Sequence, residues 1–301
     1  MRALIIRNPR AGRRGQEGSI DAAALVLERA GWTIDLVSSD GPGHVSDLAA
    51  GAAGEGMDAV LVAGGDGSLN EAVQGLAGTE TALGYLPYGT VNIWAREIGL
   101  PLDPASAAHA LLQGREERVD LGYANQRAFL LMAGVGLDGE VVRRARSVER
   151  HKQRFGIIPY VAVGLSTVPL YRGADIELRY DGLIRRVQAL MLVVGNSRLY
   201  AGHFQLTPQA VINDGWLDLC IVKGKGPLAV VRQSLPLLLS RTITRSDVEL
   251  LRVRDLTVTS DEPLPYQVDG ELAGSTPVHI TVRPRALRVI VPRELASGLI
   301  A

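Results

Sequence analysis

The segment Gly64-Gly65-Asp66-Gly67-Ser68-Leu69-Asn70-Glu71 combines residue types and spacing that can handle a phosphate. It follows Ala59-Val60-Leu61-Val62-Ala63, which reads as a buried strand, and leads into Ala72–Leu76, which reads as the first turns of a helix. A glycine-rich bend of this kind turns backbone N–H groups and the positive helix end toward an anion. The glycines let the backbone come close to it. Asp66 would repel a phosphate directly, so a divalent cation held by one carboxylate and waters belongs between them. The pattern points to a nucleotide polyphosphate with Mg2+. The bland reading is a plain turn in which Ser68-x-x-Glu71 forms a capping box. The two are compatible if Ser68 and Glu71 cap the helix that presents the site.

The elements that must carry this loop alternate over the first third of the chain. Strands are expected at Leu4–Arg7, Thr33–Val37, Ala59–Ala63 and Ala82–Leu86. Helices are expected at Gly18–Ala30, Val45–Ala53, from the loop to about Gly78, from Asn92 to Glu97, and at Pro104–Gln113. Such alternation with short loops predicts a parallel sheet covered by helices. Ligands of such sheets bind outside the carboxyl ends of the strands. Four such ends carry suitable groups: Asn8-Pro9-Arg10-Ala11-Gly12, Ser38-Ser39, the Gly64–Glu71 loop, and Pro87-Tyr88-Gly89-Thr90-Val91-Asn92. Thr90 could cap a helix there, with its hydroxyl on a phosphate or ribose.

From about Glu117 the pattern becomes that of an antiparallel sheet or sandwich. Strands are expected at Arg118–Tyr123, Arg127–Ala133, Asp175–Tyr180, Arg185–Val194, Leu217–Val222, Leu250–Thr259, Pro265–Val268, Val278–Val282 and Leu287–Val291. Asp181-Gly182 and Asp269-Gly270 read as turns, and helices are expected only around Gly139–Val148, Ile157–Leu170 and Leu228–Ser240. The expectation is therefore two domains, an α/β domain at 1–116 and a β-rich domain at 117–301. Three polar groups stand out in the second: Gly134-Val135-Gly136-Leu137-Asp138-Gly139, Asn213-Asp214-Gly215-Trp216-Leu217-Asp218 and Gln267-Val268-Asp269-Gly270-Glu271. Taken singly, Asp-Gly turns are hairpin chemistry, and Glu271 reads as a solvated turn residue.

At 301 residues the chain is long enough for two cores. Its formal net charge of zero gives no sign of a nucleic-acid partner. With Cys220 the one cysteine, an intramolecular disulfide and a thiolate cluster are excluded, and a reducing cytoplasm fits. The start of the chain reads as a first strand, its apolar stretch being too short for a signal peptide. The apolar stretches 156–171 and 228–239 are too short or too interrupted to span a bilayer.

The ordered set matters more than any member of it. Asn8-Pro9-x-Ala11-Gly12, the Gly64–Glu71 loop, Gly89-Thr90-x-Asn92 and Gly134-x-Gly136-x-Asp138 come first. Ala201-Gly202-x-Phe204-x-x-x-Pro208-x-Ala210, Asp214-Gly215-x-Leu217-Asp218 and Asp269-Gly270-Glu271 follow. This set resembles the bacterial lipid kinases of the diacylglycerol kinase and sphingosine kinase superfamily, over nearly the whole chain. The resemblance implies an NAD-kinase-like first domain, a site in the interdomain cleft, and ATP with Mg2+ as phosphate source. The acceptor would be a primary hydroxyl of a lipid such as diacylglycerol. It further implies Asn8, Ser39, Gly64, Gly65, Asp66, Gly67, Ser68, Asn70, Glu71, Gly89, Thr90 and Asn92 around the nucleotide. Asp66 would organise Mg2+ through water, Glu271 would be the general base, and Asp269 would lie close by. Val211, Asp214 and Trp216 match a structural cation site. One departure is clear: where the family pattern follows Gly-Thr-x-Asn with an Asp, this chain has Ile93 and then Trp94.

Two other readings start from the same residues. An NAD kinase shares the Gly-Gly-Asp-Gly loop but not the later segments. A nucleotide- or lipid-binding regulator without turnover would fit the loss at Ile93, though not the retention of Asp66 and Glu271. The basic run Arg143, Arg144, Arg146, Arg150, Lys152 and Arg154, opposed by Glu149 and adjoining an apolar stretch, could hold the protein peripherally against anionic headgroups at the inner membrane face. No aromatic platform interleaves it, which argues against nucleic acid. An exposed sheet edge in the second half could pair two subunits. The acceptor lipid is left open.

Overall fold

The computed structural model describes residues 1–12, 18–145, 166–167, 171–200, 204–224 and 248–301. The helix expected at Leu228–Ser240 lies outside them, as does that at Ile157–Leu170 apart from 166 and 167, and the basic run beyond Ala145. The chain divides into two compact units. One comprises Met1–Leu121, Ile212–Asp214 and Pro284–Ala301, the other Gly122–Val211 and Gly215–Arg283.

The first unit begins β1 (Arg2–Arg7), α1 (Gly18–Arg29), β2 (Thr33–Ser38), α2 (His44–Gly54), β3 (Ala59–Gly64) and α3 (Asp66–Leu76). It continues with β4 (Ala82–Pro87), α4 (Ile93–Glu97), α5 (Pro104–Leu112) and most of β5 (Arg115–Ala124). The strands are parallel in the order β4-β3-β1-β2. Both β3 and β4 are buried along their whole length, the pattern of strands covered on both faces. Right-handed crossovers to opposite sides of β1 place α1 on one face and α2 and α3 on the other. Accordingly α1 packs with α5, and α2 with α3. Between β1 and β3 the chain therefore leaves toward opposite faces, which opens a crevice at their carboxyl ends.

The second unit holds β6 (Arg127–Phe129), β7 (Met132–Gly136), α6 (Leu137–Ala145), β8 (Ala174–Tyr180), β9 (Leu183–Gly195), β10 (Leu199–Tyr200) and β11 (Phe204–Gln205). After these come β12 (Leu217–Lys223), β13 (Val248–Val253), β14 (Asp255–Ser260), β15 (Pro265–Val268), β16 (Glu271–Ser275) and the first part, to Arg283, of β17 (Val278–Val291). Its pairings are antiparallel, in the order β16-β15-β7-β9-β8-β14-β17, with β12 joining β9 to β13. The core is aliphatic, with Val135, Leu178, Leu192, Val194, Leu219, Ile221, Val258 and Val268 among its buried members. Cys220, between Leu219 and Ile221 on β12, is also buried, and burial pushes its thiol up to about 12, so it is inert as a nucleophile.

Several boundaries differ from the sequence reading. Residues 117–121, 212–214 and 284–301, expected in the second domain, belong to the first unit. The end of β17 pairs parallel with β4 at Val289 and Leu83, and Ile212 exchanges backbone hydrogen bonds with Asp120 and Leu299. Such returns depend on partners far away in sequence. The strands expected at Val278–Val282 and Leu287–Val291 are one strand, with a kink at Arg285 (φ 53°) whose N–H donates to the buried Asp120 carboxylate at 2.7 Å. The expected Arg127–Ala133 strand is two, because Leu130 and Leu131 turn their N–H groups to Asp269. Among the described residues no helix is long and apolar enough to cross a membrane.

One cross-strand ion cluster supports the second unit. Glu249 on β13 accepts from Arg185 on β9, the largest influence on it, and from Lys223 on β12 at 2.6 Å. These donors hold its carboxyl down at about 2, below the usual carboxylate range. A depressed folded-state value contributes stability that is present above the unfolded value and lost as pH falls through the folded one. We predict that the melting temperature of the chain falls between about pH 4.5 and about pH 2, and that Glu249→Gln flattens part of that slope. An unchanged slope in the variant would remove the cluster from the account.

Candidate active site

In the first unit, α3 begins at Asp66, three residues earlier than the expected capping box allows. Its N-cap is Gly65 in extended conformation, with no side-chain cap. Ser68 thus lies inside the helix, where its buried Oγ accepts from the Asn8 side-chain amide at 2.7 Å. Glu71 reaches the Val45 N–H at the start of α2, at 3.3 Å. The capping-box reading is corrected: the N-cap of α3 is a glycine, which brings no side chain to the helix start, the kind of start that can receive an anion. Asn8 follows β1, and its bond to Ser68 crosses the switch point between β1 and β3.

The loops after β3 and β4 touch through glycine. A Cβ on Gly89 would lie 2.5 Å from the Gly65 Cα, so no side chain fits there. Asn92 closes the second loop, its Oδ1 accepting from Gly89 N–H (3.0 Å) and its Nδ2 donating to the Gly89 carbonyl (3.0 Å). The buried Tyr85 hydroxyl directs its hydrogen at Asn92 Oδ1 (2.9 Å) and the Gly64 carbonyl (3.1 Å). Burial, and secondarily the Asp66 charge, raise the Tyr85 hydroxyl well above its ordinary value, so it stays a donor. Asp66 Oδ1 accepts the Ile93 N–H at 2.7 Å, which ties the first residue of α3 to the first of α4. Thr90 is exposed on this loop and caps no helix; Asn92, at φ 54°, is the N-cap of α4. Ser39 follows β2, its N–H bonded to the Arg7 carbonyl. Asn70 is buried within α3, its carbonyl and side chain both reached by Gln74. The structure thus brings Asn8, Gly64–Ser68 and Gly89–Asn92 together, with Ser39 on the same sheet edge. Asn70 and Glu71 make their contacts within the helices, to Gln74 and to the Val45 N–H.

In the second unit, Val268 and Glu271 pair across a two-residue hairpin turn, Asp269-Gly270, with φ of 46° and 85°. That is the turn which Asp-Gly favours. Asp269, expected beside Glu271 as a catalytic carboxylate, is an anchor instead. Its two oxygens accept the N–H groups of Leu130 (2.9 Å), Leu131 (3.0 Å) and Met132 (2.9 Å), and its own N–H donates to the Met132 carbonyl. Glu271 is not the solvated turn residue its local sequence describes. It opens β16 and takes a hydrogen bond from the Arg127 guanidinium at 2.7 Å, with 44 % of its side chain still exposed. Asp138 is buried at the start of α6, where Tyr200 and Gln267 donate to it. Arg127, Gln267 and Tyr85 received no role from the sequence because nothing local marks an arginine, an amide or a phenol as a partner of a distant turn.

Family models match both parts of the chain: the diacylglycerol kinase catalytic domain over residues 2–124, and the YegS C-terminal NAD kinase β-sandwich-like domain over 132–291. A diacylglycerol kinase of Staphylococcus saprophyticus is 30% identical over 299 residues, covering 98% of this chain and 97% of the relative. That of Bacillus subtilis is 29% identical over 301 residues, covering 99% of each. The chain belongs to the diacylglycerol kinase family. As a member it is an ATP-dependent lipid kinase, and the NAD kinase and regulator readings are not favoured. The crystal structure of a diacylglycerol kinase from Bacillus anthracis superposes with a TM-score of 0.77 at 21% identity, over 98% of each chain. A further chain from that organism superposes at 0.82 with 24% identity.

Two features of this diacylglycerol kinase family member bear on its metals. At the family's Asp position, it is the backbone N–H of Ile93 that meets Asp66, so that contact needs no carboxylate at 93. Asp66 lies beside the uncapped start of α3 and fits the role of holding the Mg2+ that accompanies a nucleotide. The structural set of Val211, Asp214 and Trp216 would use two backbone carbonyls and one carboxylate. Beside it, the Arg254 guanidinium stacks on the Trp216 ring at 4.1 Å and donates to the Gly215 carbonyl at 3.2 Å, so a fixed cation already sits against the Gly215–Trp216 part of the turn.

The glycine contact yields a prediction. Gly89→Ala pushes a methyl into the Gly65 backbone, and overpacking of that kind costs about 1–3 kcal/mol. We expect the loops to part, so that KM for ATP rises about tenfold or more while the far-ultraviolet circular dichroism is kept. Wild-type ATP kinetics in this variant would show that the loop contact does not shape the nucleotide site.

Proposed function

We propose that this kinase transfers the γ-phosphate of Mg·ATP to a primary hydroxyl of diacylglycerol, with Glu271 as the general base. The observation that carries the base assignment is the state of Glu271. It is the carboxylate of the hairpin that keeps substantial exposure while being fixed by a single side-chain donor, Arg127. Asp269 beside it has its oxygens committed to three backbone N–H groups.

Phosphoryl transfer asks mainly for positioning and charge neutralisation. The start of α3 and the Gly89 loop would hold the phosphates by backbone N–H groups, with the Asn8–Ser68 pair beneath them. Mg2+ at Asp66, when bound, would neutralise charge on the β- and γ-phosphates. As the acceptor oxygen forms its bond to the γ-phosphorus, its proton passes to Glu271, the bond to the β-phosphate oxygen breaks, and ADP leaves. Arg127 keeps the Glu271 carboxylate aimed during that step. Because the acceptor resides in a bilayer, the enzyme would work peripherally at an anionic surface. The described part of the basic run contributes little to this, since Arg143 and Arg144 both fold onto Glu140.

The test is transfer of labelled γ-phosphate from Mg·ATP to a panel of lipid alcohols in anionic mixed micelles, with NAD included. Diacylglycerol should be labelled, and Glu271→Gln should lower kcat by about 10²–10⁴-fold. Label in another lipid alone would reassign the acceptor. Undiminished kcat in Glu271→Gln would remove the base.

A further inference from the structure

The Gly134-Val135-Gly136-Leu137-Asp138-Gly139 motif plays no direct part in the chemistry above, yet much of it is shaped to deliver one carboxylate. Gly134 on β7 faces Gln267 on β15 across the sheet. A Cβ on Gly134 would lie 1.6 Å from Asp138 Oδ2 and 2.9 Å from Gln267 Nε2. The missing side chain is the space in which those two groups meet. Gly136, at φ 87°, turns the chain from β7 into α6, and a Cβ on Gly139 would lie 2.2 Å from the Pro265 carbonyl oxygen. The first turn of α6 thus rests directly on β15, with Asp138 over Gln267.

The hydrogen bonds then converge on Asp138. The Tyr200 hydroxyl donates to Asp138 Oδ1, and Gln267 Nε2 donates to Asp138 Oδ2 at 2.7 Å. Gln267 Oε1 accepts the N–H of Gly270 at 2.6 Å. Asp138 can only accept and Gly270 N–H can only donate, so both ends of the Gln267 amide are dictated and it cannot flip. Gln267 is 2 % exposed and Asp138 5 %, which keeps water from substituting for either partner. Burial raises the Asp138 carboxyl from its ordinary value, while the Tyr200 and Gln267 donors pull it back.

We propose that Asp138 and Gln267 are positioning residues that act on the reaction through the Gly270 N–H, fixing the hairpin turn from which Glu271 projects. The turn is held from two sides: Asp269 is bound by the 130–132 backbone, and Gly270 by Gln267 under Asp138. This rests on the reading of Glu271 as the base. Loosening the second hold leaves the nucleotide loops of the first unit untouched and lets the carboxylate wander from the acceptor hydroxyl. A misplacement of about 1 Å can cost about 10²-fold in rate.

The experiment measures kcat, KM for ATP and the melting temperature of the full chain, with diacylglycerol micelles as acceptor. In Asp138→Leu, both acceptor oxygens are gone, so the Gln267 amide and the Tyr200 hydroxyl lose their partner. We expect kcat to fall about tenfold or more with KM for ATP unchanged. The paired exchange Asp138→Asn with Gln267→Glu rebuilds the 138–267 bond with the donor now on residue 138, keeps Tyr200 and Gly270 as donors, and should return most of the lost kcat. Gln267→Met, which keeps the side-chain length and removes both links, should reproduce the loss and serves if Asp138→Leu does not fold. Wild-type kcat in Gln267→Met while Glu271→Gln is inactive overturns the positioning role alone, as does a loss that the paired exchange leaves in place with its fold intact. Wild-type kcat in Glu271→Gln overturns the base and this inference with it.

Discussion

Backbone contact between Gly65 and Gly89 is the constraint on which the arrangement at the first unit's carboxyl edge depends. With no side chain at 89, the loop after β4 can lie against the loop after β3. Once they are that close, short polar groups suffice to join them. Asn92 ties up both backbone groups of Gly89, Tyr85 reaches Asn92 and Gly64 together, and Asp66 receives the Ile93 N–H. Side-chain volume at Gly89 would undo these at once, because they share one distance. The glycine-capped start of α3 is thereby presented on a surface whose neighbouring polar groups are already paired with one another.

Four carboxylates in this chain carry chemistry-bearing positions, and their hydrogen-bond donors sort them. Asp269 accepts three backbone N–H groups and is part of the scaffold. Asp138 is buried between a tyrosine and a glutamine and transmits orientation. Asp66 takes one backbone N–H at a helix start, where a cation with its phosphate ligand can also be served. Glu271 is held by one guanidinium and keeps its exposure. Residue type is the same in all four cases. What differs is how many lone pairs the fold has already spent and how much of the carboxylate is exposed, which is the ground for proposing Glu271 as the proton acceptor.

The sequence showed the parallel strands because a strand covered on both faces must be apolar throughout, as Ala59–Gly64 is. It showed the Asp181-Gly182 and Asp269-Gly270 hairpins because both residues adopt positive φ there, which few pairs tolerate. Contacts between distant residues were hidden. The start of α3 was misplaced since Ser68 answers to Asn8, sixty positions earlier, rather than to its own helix end. The strand Val278–Val291 looked broken at Pro284-Arg285, where the kink is satisfied by Asp120. The Asp269-Gly270-Glu271 triplet was found as a motif, but its division into anchor, turn and base required Leu130, Leu131, Met132, Gln267 and Arg127.

Burying Asp138 has a cost that an apolar pair at 138 and 267 would avoid, because taking a carboxylate out of water carries a penalty of several kcal/mol. Aliphatic side chains could fill the space left by Gly134 equally well. They could not hold the Gly270 N–H in one direction, since dispersion is indifferent to rotation of the turn and a hydrogen bond is not. The loose transition state of phosphoryl transfer leaves the protein little to do except place groups. A turn that carries the proton acceptor therefore gains from a directional hold even where packing alone would be the more stable choice.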